Sequence, residues 1–261
     1  MANTVAHLMV AKRILELMPE PVGNEEAFLL GAVAPDAIES MAGADRDDKK
    51  RVHLRLGIRD MEWLEEENMS LFDARVRDFA GNFVNRLSPG GQRDFNTGYL
   101  VHLLTDKVNH ATLRQKVLNA VAAEGLGDGN FNFFGRIIND LEALDAYLLR
   151  EKPEAAEMFA RLISGRAEYS LEGFIEKEYL ERSLLWWSSV YSRRIEGKKA
   201  RYLGAEDIEN FIDLAAQTIA AELKRLIIDS QFEKQDMSVV NALKRFNPFK
   251  KHDDKKEKGD K

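Results

Sequence analysis

GYLVHLLTDKVNH, residues 98–110, is the stretch from which the rest of the chain is read. Leu100, Val101, Leu103, Leu104 and Val108 put apolar side chains almost all the way round it, the pattern of a helix inside a protein. At about 100° per residue, His102, Asp106 and His110 fall at i, i+4 and i+8 on one face, together with Tyr99 and Asn109. An unpaired carboxylate in a core costs several kcal/mol, so Asp106 needs a compensating cation. The shared face offers imidazole rather than Lys or Arg, and a metal ion satisfies both residue types at once. The plainer reading of the HxxxD pair is a helical ion pair or a satisfied core histidine.

The surrounding composition narrows the choice. The chain has 261 residues, 44% hydrophobic and 31% charged, enough for one sizeable globular domain with an ample core. It has no cysteine, so disulfides and thiolate-held zinc are excluded, and any metal has to be held by His, carboxylate, backbone or water. A net charge of −6 argues against a broad basic face for nucleic acid. No apolar run is long enough to span a membrane. The N-terminus, MANTVAHLMVAKRILELMPE, reads as an amphipathic helix rather than a signal peptide, because Lys12, Arg13 and Glu16 interrupt its apolar residues. The expected compartment is the cytoplasm.

Working outward from the central stretch, a first helix is expected over 4–18, stopped by Pro19 and Pro21, with His7 on its apolar face beside Val10, Ile14 and Leu17. A core histidine bonded to a backbone carbonyl is the simpler account of His7. In NEEAFLLGAVAPD, Asn24 is an N-cap, Glu25 and Glu26 suit a first turn, and Pro35 ends the helix at Ala34. That places Asp36 at a rigid Pro-Asp corner, where the alternative is a turn aspartate capping the next segment. Residues 41–52 are polar and read as a loop, after which His53 either folds inward or lies at the surface.

Residues 60–87 show helical spacing through Trp63, Phe72, Val76, Phe79 and Val84, broken by Ser88-Pro89-Gly90-Gly91. The central helix is expected to continue past His110 through Leu113, Val117 and Val121 to GLGDGN. A helix over 131–150 buries Ile137, Leu141, Leu144 and Leu148, with Asp145 at the edge of that stripe and Asp140 and Arg136 to the side. Asp145 is either an extra metal ligand or a partner for a core Arg or Tyr. Helical segments over 154–164, 171–194 and 205–228 complete the body, and nothing alternates with period two. The expected fold is all-α: one multi-helix domain, residues 1–243, around a buried central helix. The remainder, 244–261, has eight basic and four acidic residues and is expected to be a disordered Lys-rich tail; His252 belongs to it and is set aside as a ligand.

The order of AHLMVA, GAVAPD, His53 and GYLVHLLTD over residues 5–110 resembles the zinc-dependent phospholipase C family, which includes the fungal single-strand-specific zinc nucleases. The resemblance implies an all-helical phosphohydrolase with His7, Asp36, His53, His102 and Asp106 as metal ligands and Asp36 also as a candidate base. His110 resembles the next histidine of that pattern, at a shorter step than expected. Two departures stand beside the likeness. Six residues precede His7 where the secreted enzymes use their mature N-terminal amine, and no histidine between His110 and the tail supplies the second His–carboxylate pair, leaving Asp145 or Asp140 to offer a carboxylate alone.

One or two Zn²⁺ ions are therefore expected, acting on a phosphate-ester small molecule or a phospholipid, with peripheral membrane contact compatible with the basic tail. Imidazole and carboxylate suit a catalytic zinc with an open position, which brings the pKa of its water to about 7. Two rivals are weighed. An HD-type phosphohydrolase needs a His-Asp dipeptide on a core helix, and His252-Asp253 in the tail is the only one. A non-catalytic helical binding or regulatory protein on the same scaffold fits the missing ligand pair. Substrate and oligomeric state are not encoded in these patterns.

Overall fold

A computed structural model describes residues 4–18, 22–125, 133–194 and 198–228. Among them are helices α1 (Thr4–Leu17), α2 (Glu25–Gly31), α3 (Arg46–Val52), α4 (Glu66–Phe79), α5 (Gly91–Ala111), α6 (Leu113–Ala123), α7 (Phe133–Glu151), α8 (Pro153–Ser164), α9 (Lys177–Arg194) and α10 (Ala205–Ile228), with a 3₁₀ helix over Ala34–Ser40 and a π-helical turn over Ala80–Val84. These residues form no sheet; Leu171 and Ile175 make an isolated bridge. No described helix is long and apolar enough to cross a membrane. The all-α class is as the periodicity indicates. The Pro19–Pro21 stop, most of GLGDGN and the Lys-rich tail lie outside the described residues.

Helix α5 is the centre. Every residue from Asp94 to Asp106 is buried, and α1, α2, α4, α10 and the 3₁₀ helix all pack on it. Its closest neighbour is α2, and two glycines explain why. A Cβ on Gly31 would lie 2.0 Å from the Phe95 carbonyl oxygen, and one on Gly98 would lie 2.0 Å from that of Phe28. The backbones touch where side chains would hold them apart. Helix α2 starts as expected, with the Asn24 side chain accepting from the Ala27 N–H. It ends at Gly31, and Pro35 enters near the start of the 3₁₀ helix that carries Asp36. The glycine crossing thus sets Asp36 against α5.

Four local expectations are corrected. Residues 41–52 are not all loop: Asp45 and Asp48 form a reciprocal capping box that starts α3, with Asp47 and Asp48 in its first turn and Lys49, Lys50 and Arg51 in its last. The central helix does not run on past His110, because Thr112, at φ −119° and ψ −90°, breaks it and α6 begins afresh. Trp63 precedes α4 rather than lying on it. Asp140 is not peripheral: it is 1% exposed, and its carboxylate accepts from the backbone N–H groups of Arg201, Tyr202 and Leu203 at 2.6–3.1 Å.

A buried cluster of imidazoles and carboxylates

His7 comes from α1, Asp36 from the 3₁₀ helix, His53 from the residue capping α3, and His102 and Asp106 from α5. All five are buried, Asp36 at 5% exposure and the others at 1% or less. Their side chains meet in two groups whose ligand atoms lie within 4.8 Å of one another: His7, His102 and Asp106, and Asp36, His53 and His102. His102 belongs to both.

His53 turns inward because α3 ends abruptly beside it. Leu54 adopts a left-handed φ of 57°, unusual for a branched residue, and its N–H still reaches the Arg51 carbonyl. Two contacts hold this corner. The Tyr99 hydroxyl on α5 donates to the Val52 carbonyl at 2.6 Å, and the Arg75 guanidinium on α4 donates to the carbonyls of Leu54 and Leu56 at 2.9 and 2.8 Å. Strain at Leu54 is thus balanced by anchors on two helices.

The ring orientations define the chemistry. His53 Nδ1 is 2.8 Å from the Lys49 carbonyl oxygen, and His102 Nδ1 is 2.8 Å from that of Ala32. A carbonyl only accepts, so each ring donates through Nδ1–H and, when neutral, turns its Nε2 lone pair the other way. Those two Nε2 atoms face each other at 3.3 Å. Around them, Asp36 Oδ1 lies 3.2 Å from His53 Nε2 and 4.0 Å from His102 Nε2, and Asp106 Oδ2 lies 3.8 and 4.0 Å from the same atoms. His7 stacks on His102 with centroids 3.8 Å apart and planes at 6°, and its Nε2 is 3.6 Å from Asp106 Oδ1. Neither ring nitrogen of His7 has a hydrogen-bond partner among the described residues.

Lone pairs facing lone pairs and carboxylates call for a positive centre between them. His102 does not provide it by protonation: burial, then the neighbouring His7, push its pKa down to about 3. Asp36 and Asp106 are both held below the usual carboxylate range although burial opposes this, so both face the rings as carboxylates. A cation fits the separations. Ligand atoms at about 2.1 Å from a common ion lie roughly 3.0 to 4.2 Å apart, and the separations of 3.2–4.0 Å around His53 and His102 fall inside that range. Imidazoles held by Nδ1–H to a backbone carbonyl are also what metal-ligating histidines have behind them. His102 has one free lone pair, so in this arrangement it can serve one ion at a time.

The two remaining sequence candidates lie outside both groups. Asp145 takes the second of its two expected roles, partner to a core tyrosine rather than extra ligand: one oxygen accepts from the Ala6 N–H at 3.0 Å, the other from the Val5 N–H at 3.0 Å and the Tyr191 hydroxyl at 2.5 Å. Those contacts tie down the first turn of α1 and leave the carboxylate in a different role, with burial raising its pKa to about 6. His110 is buried and one turn beyond Asp106, but its ring stacks on Trp63, with centroids 4.4 Å apart and planes at 17°. Sequence reasoning missed Arg55 and Arg114, both buried and grouped around that same tryptophan corner. The available signal was Arg114 at four residues from His110.

No family model, curated protein or solved structure matches the chain, so the site's chemistry rests on its own residues.

Proposed function

We propose that the chain is a metal-dependent phosphoric-ester hydrolase of the zinc-dependent phospholipase C type. The observation that carries this reading is the pair of Nε2 atoms 3.3 Å apart on His53 and His102, each ring tethered through Nδ1 to a backbone carbonyl, with Asp36 and Asp106 around them. His102 with His7 and Asp106, or with Asp36 and His53, would hold one ion, and three donors that are all imidazole or carboxylate suit a Zn²⁺ with a position left open. When bound, such an ion supplies Lewis-acid polarisation of a phosphoryl oxygen and brings the pKa of adjacent water toward about 7.

The chain's own groups do the rest. Helix α5 presents His102 and Asp106 one turn apart, so their relative position is set before substrate arrives. The tethers at Ala32 and Lys49 keep the His102 and His53 rings from turning. Asp36 is the more exposed of the two carboxylates, at 5% against 1%, and takes the proton of the attacking water. The test is hydrolysis of p-nitrophenyl phosphate mono- and diesters by protein stripped of metal and reloaded with Zn²⁺. Turnover should appear on reloading, vanish in His102→Ala, and fall by about 10²–10⁴ in Asp36→Asn. A reloaded protein with full metal and no turnover on either ester contradicts it.

The depth of the cluster favours one second reading, a helical binding or regulatory protein in which the ion is structural. That protein would bind metal and lose stability with it, without turning over any ester.

A further inference from the structure

Beside the metal cluster lies a second group of buried polar side chains that metal binding does not use. Arg55 Cζ sits 4.7 Å from the centroid of the Trp63 ring, and the His110 ring stacks on the same indole at 4.4 Å. Arg114 approaches from the start of α6, its guanidinium donating to the Asp60 backbone carbonyl at 3.2 Å. Arg55, Trp63, His110 and Arg114 are each 7% exposed or less. Arg55 Nε, Trp63 Nε1 and His110 Nε2 are buried with no hydrogen-bond partner among the described residues.

Charge is also unbalanced here. The Asp60 carboxylate accepts from Arg55 at 3.2 Å, but it is shared with Arg46 at 2.5 Å, and Arg114 reaches only its backbone oxygen. Apart from the attraction of Asp106 for Arg114, the two buried guanidiniums have only part of the Asp60 carboxylate, which is costly, and water would satisfy their N–H groups without answering their charge. His110 does not add to the surplus, since burial holds it neutral and both arginines reinforce that. It is one helical turn from the metal ligand Asp106 on α5, which places the group next to the cluster.

We propose that Arg55, Trp63, His110 and Arg114 form an oxyanion pocket on the flank of the metal cluster, built to hold a phosphoryl group. Guanidinium forks and an indole N–H match phosphate oxygens, and charge-assisted bonds to them are the strong kind. The pocket rests on the phosphohydrolase reading only for the identity of the oxyanion, and it gives His110 a role that is not metal ligation.

The probe is inorganic phosphate, titrated into metal-loaded and metal-free protein. The indole N–H resonance of Trp63, assigned by its absence in Trp63→Phe, should shift as phosphate is added. Arg114→Gln should weaken phosphate binding about tenfold with metal content unchanged, and Trp63→Phe should weaken it by a smaller factor. Should Arg114→Gln fail to fold, Trp63→Phe and the indole resonance decide alone. Arg114-dependent phosphate binding in a protein that takes up no metal upholds the pocket and removes the hydrolase reading. Phosphate binding indifferent to Arg114 and Trp63, or an indole resonance unmoved by tens of millimolar phosphate, overturns the pocket whether or not metal is bound.

Discussion

Asp36 and Asp145 are both aspartates buried in the same core, and they answer burial in opposite ways. Asp145 is surrounded by donors: two backbone N–H groups of α1 and the Tyr191 hydroxyl fill its oxygens. Asp36 faces the Nε2 atoms of His53 and His102, which present lone pairs when neutral. One carboxylate is finished by N–H and O–H donors of the polypeptide, and the other faces imidazole nitrogens with room for a cation between them. Burial shifts the first upward to about 6, whereas the second is held below its ordinary range. Two buried aspartates therefore differ in role because of which atoms surround them, a distinction that burial alone does not make.

The comparison can be broken most forcefully at His102, which belongs to both ligand groups. His102→Ala should abolish metal binding, and chelating the wild type should cost about 4 kcal/mol of stability when the ion is present at a thousand times its Kd, read by denaturant unfolding. Next comes the glycine crossing. Gly98→Ala drives a methyl into the Phe28 carbonyl and should cost about 3 kcal/mol while also weakening metal affinity, because Asp36 follows α2 in the chain. Equilibrium unfolding and metal titration of the same variant check both halves.

Asp145 sharpens the contrast through pH. Its folded pKa of about 6 lies above the ordinary 3.8, so the folded chain holds the proton more tightly than the unfolded one. The stability it contributes is full below pH 3.8 and is lost as pH rises through 6. Asp145→Asn, which does not titrate, should be about 1–2 kcal/mol less stable than wild type near pH 4. That gap should close toward neutral pH, with metal content unchanged throughout. A gap that widens with pH would give Asp145 an ionised role. The smallest effect is expected at His110, where His110→Gln should leave metal stoichiometry as in the wild type, by elemental analysis.

Much of the centre is legible in the sequence because helical spacing is geometric. His102 and Asp106 at i and i+4 in an apolar helix, His7 on an apolar face, and Asp36 after a proline need no knowledge of distant contacts. The fate of His53 is different, since it depends on α3. That helix buries only Arg51 and Val52, so it has almost no apolar stripe to betray it; capping and charge at its ends make it, and the largely charged stretch 41–52 reads as a loop. Asp140 and Asp145 bind backbone N–H groups 61 to 63 and 139 to 140 residues away, which no local pattern records. The stacking of Trp63 on His110, with Arg55 over the same indole, likewise joins segments that no local pattern links.

The central claim is that buried imidazoles and carboxylates from four segments meet, through His102, around a cation. Elemental analysis of the wild type, purified without chelator or added metal and set beside His102→Ala, tests it most directly. One metal ion per wild-type chain and none in the variant is the expected result; a wild type with less than a tenth of an equivalent, or a variant that keeps its metal, contradicts it.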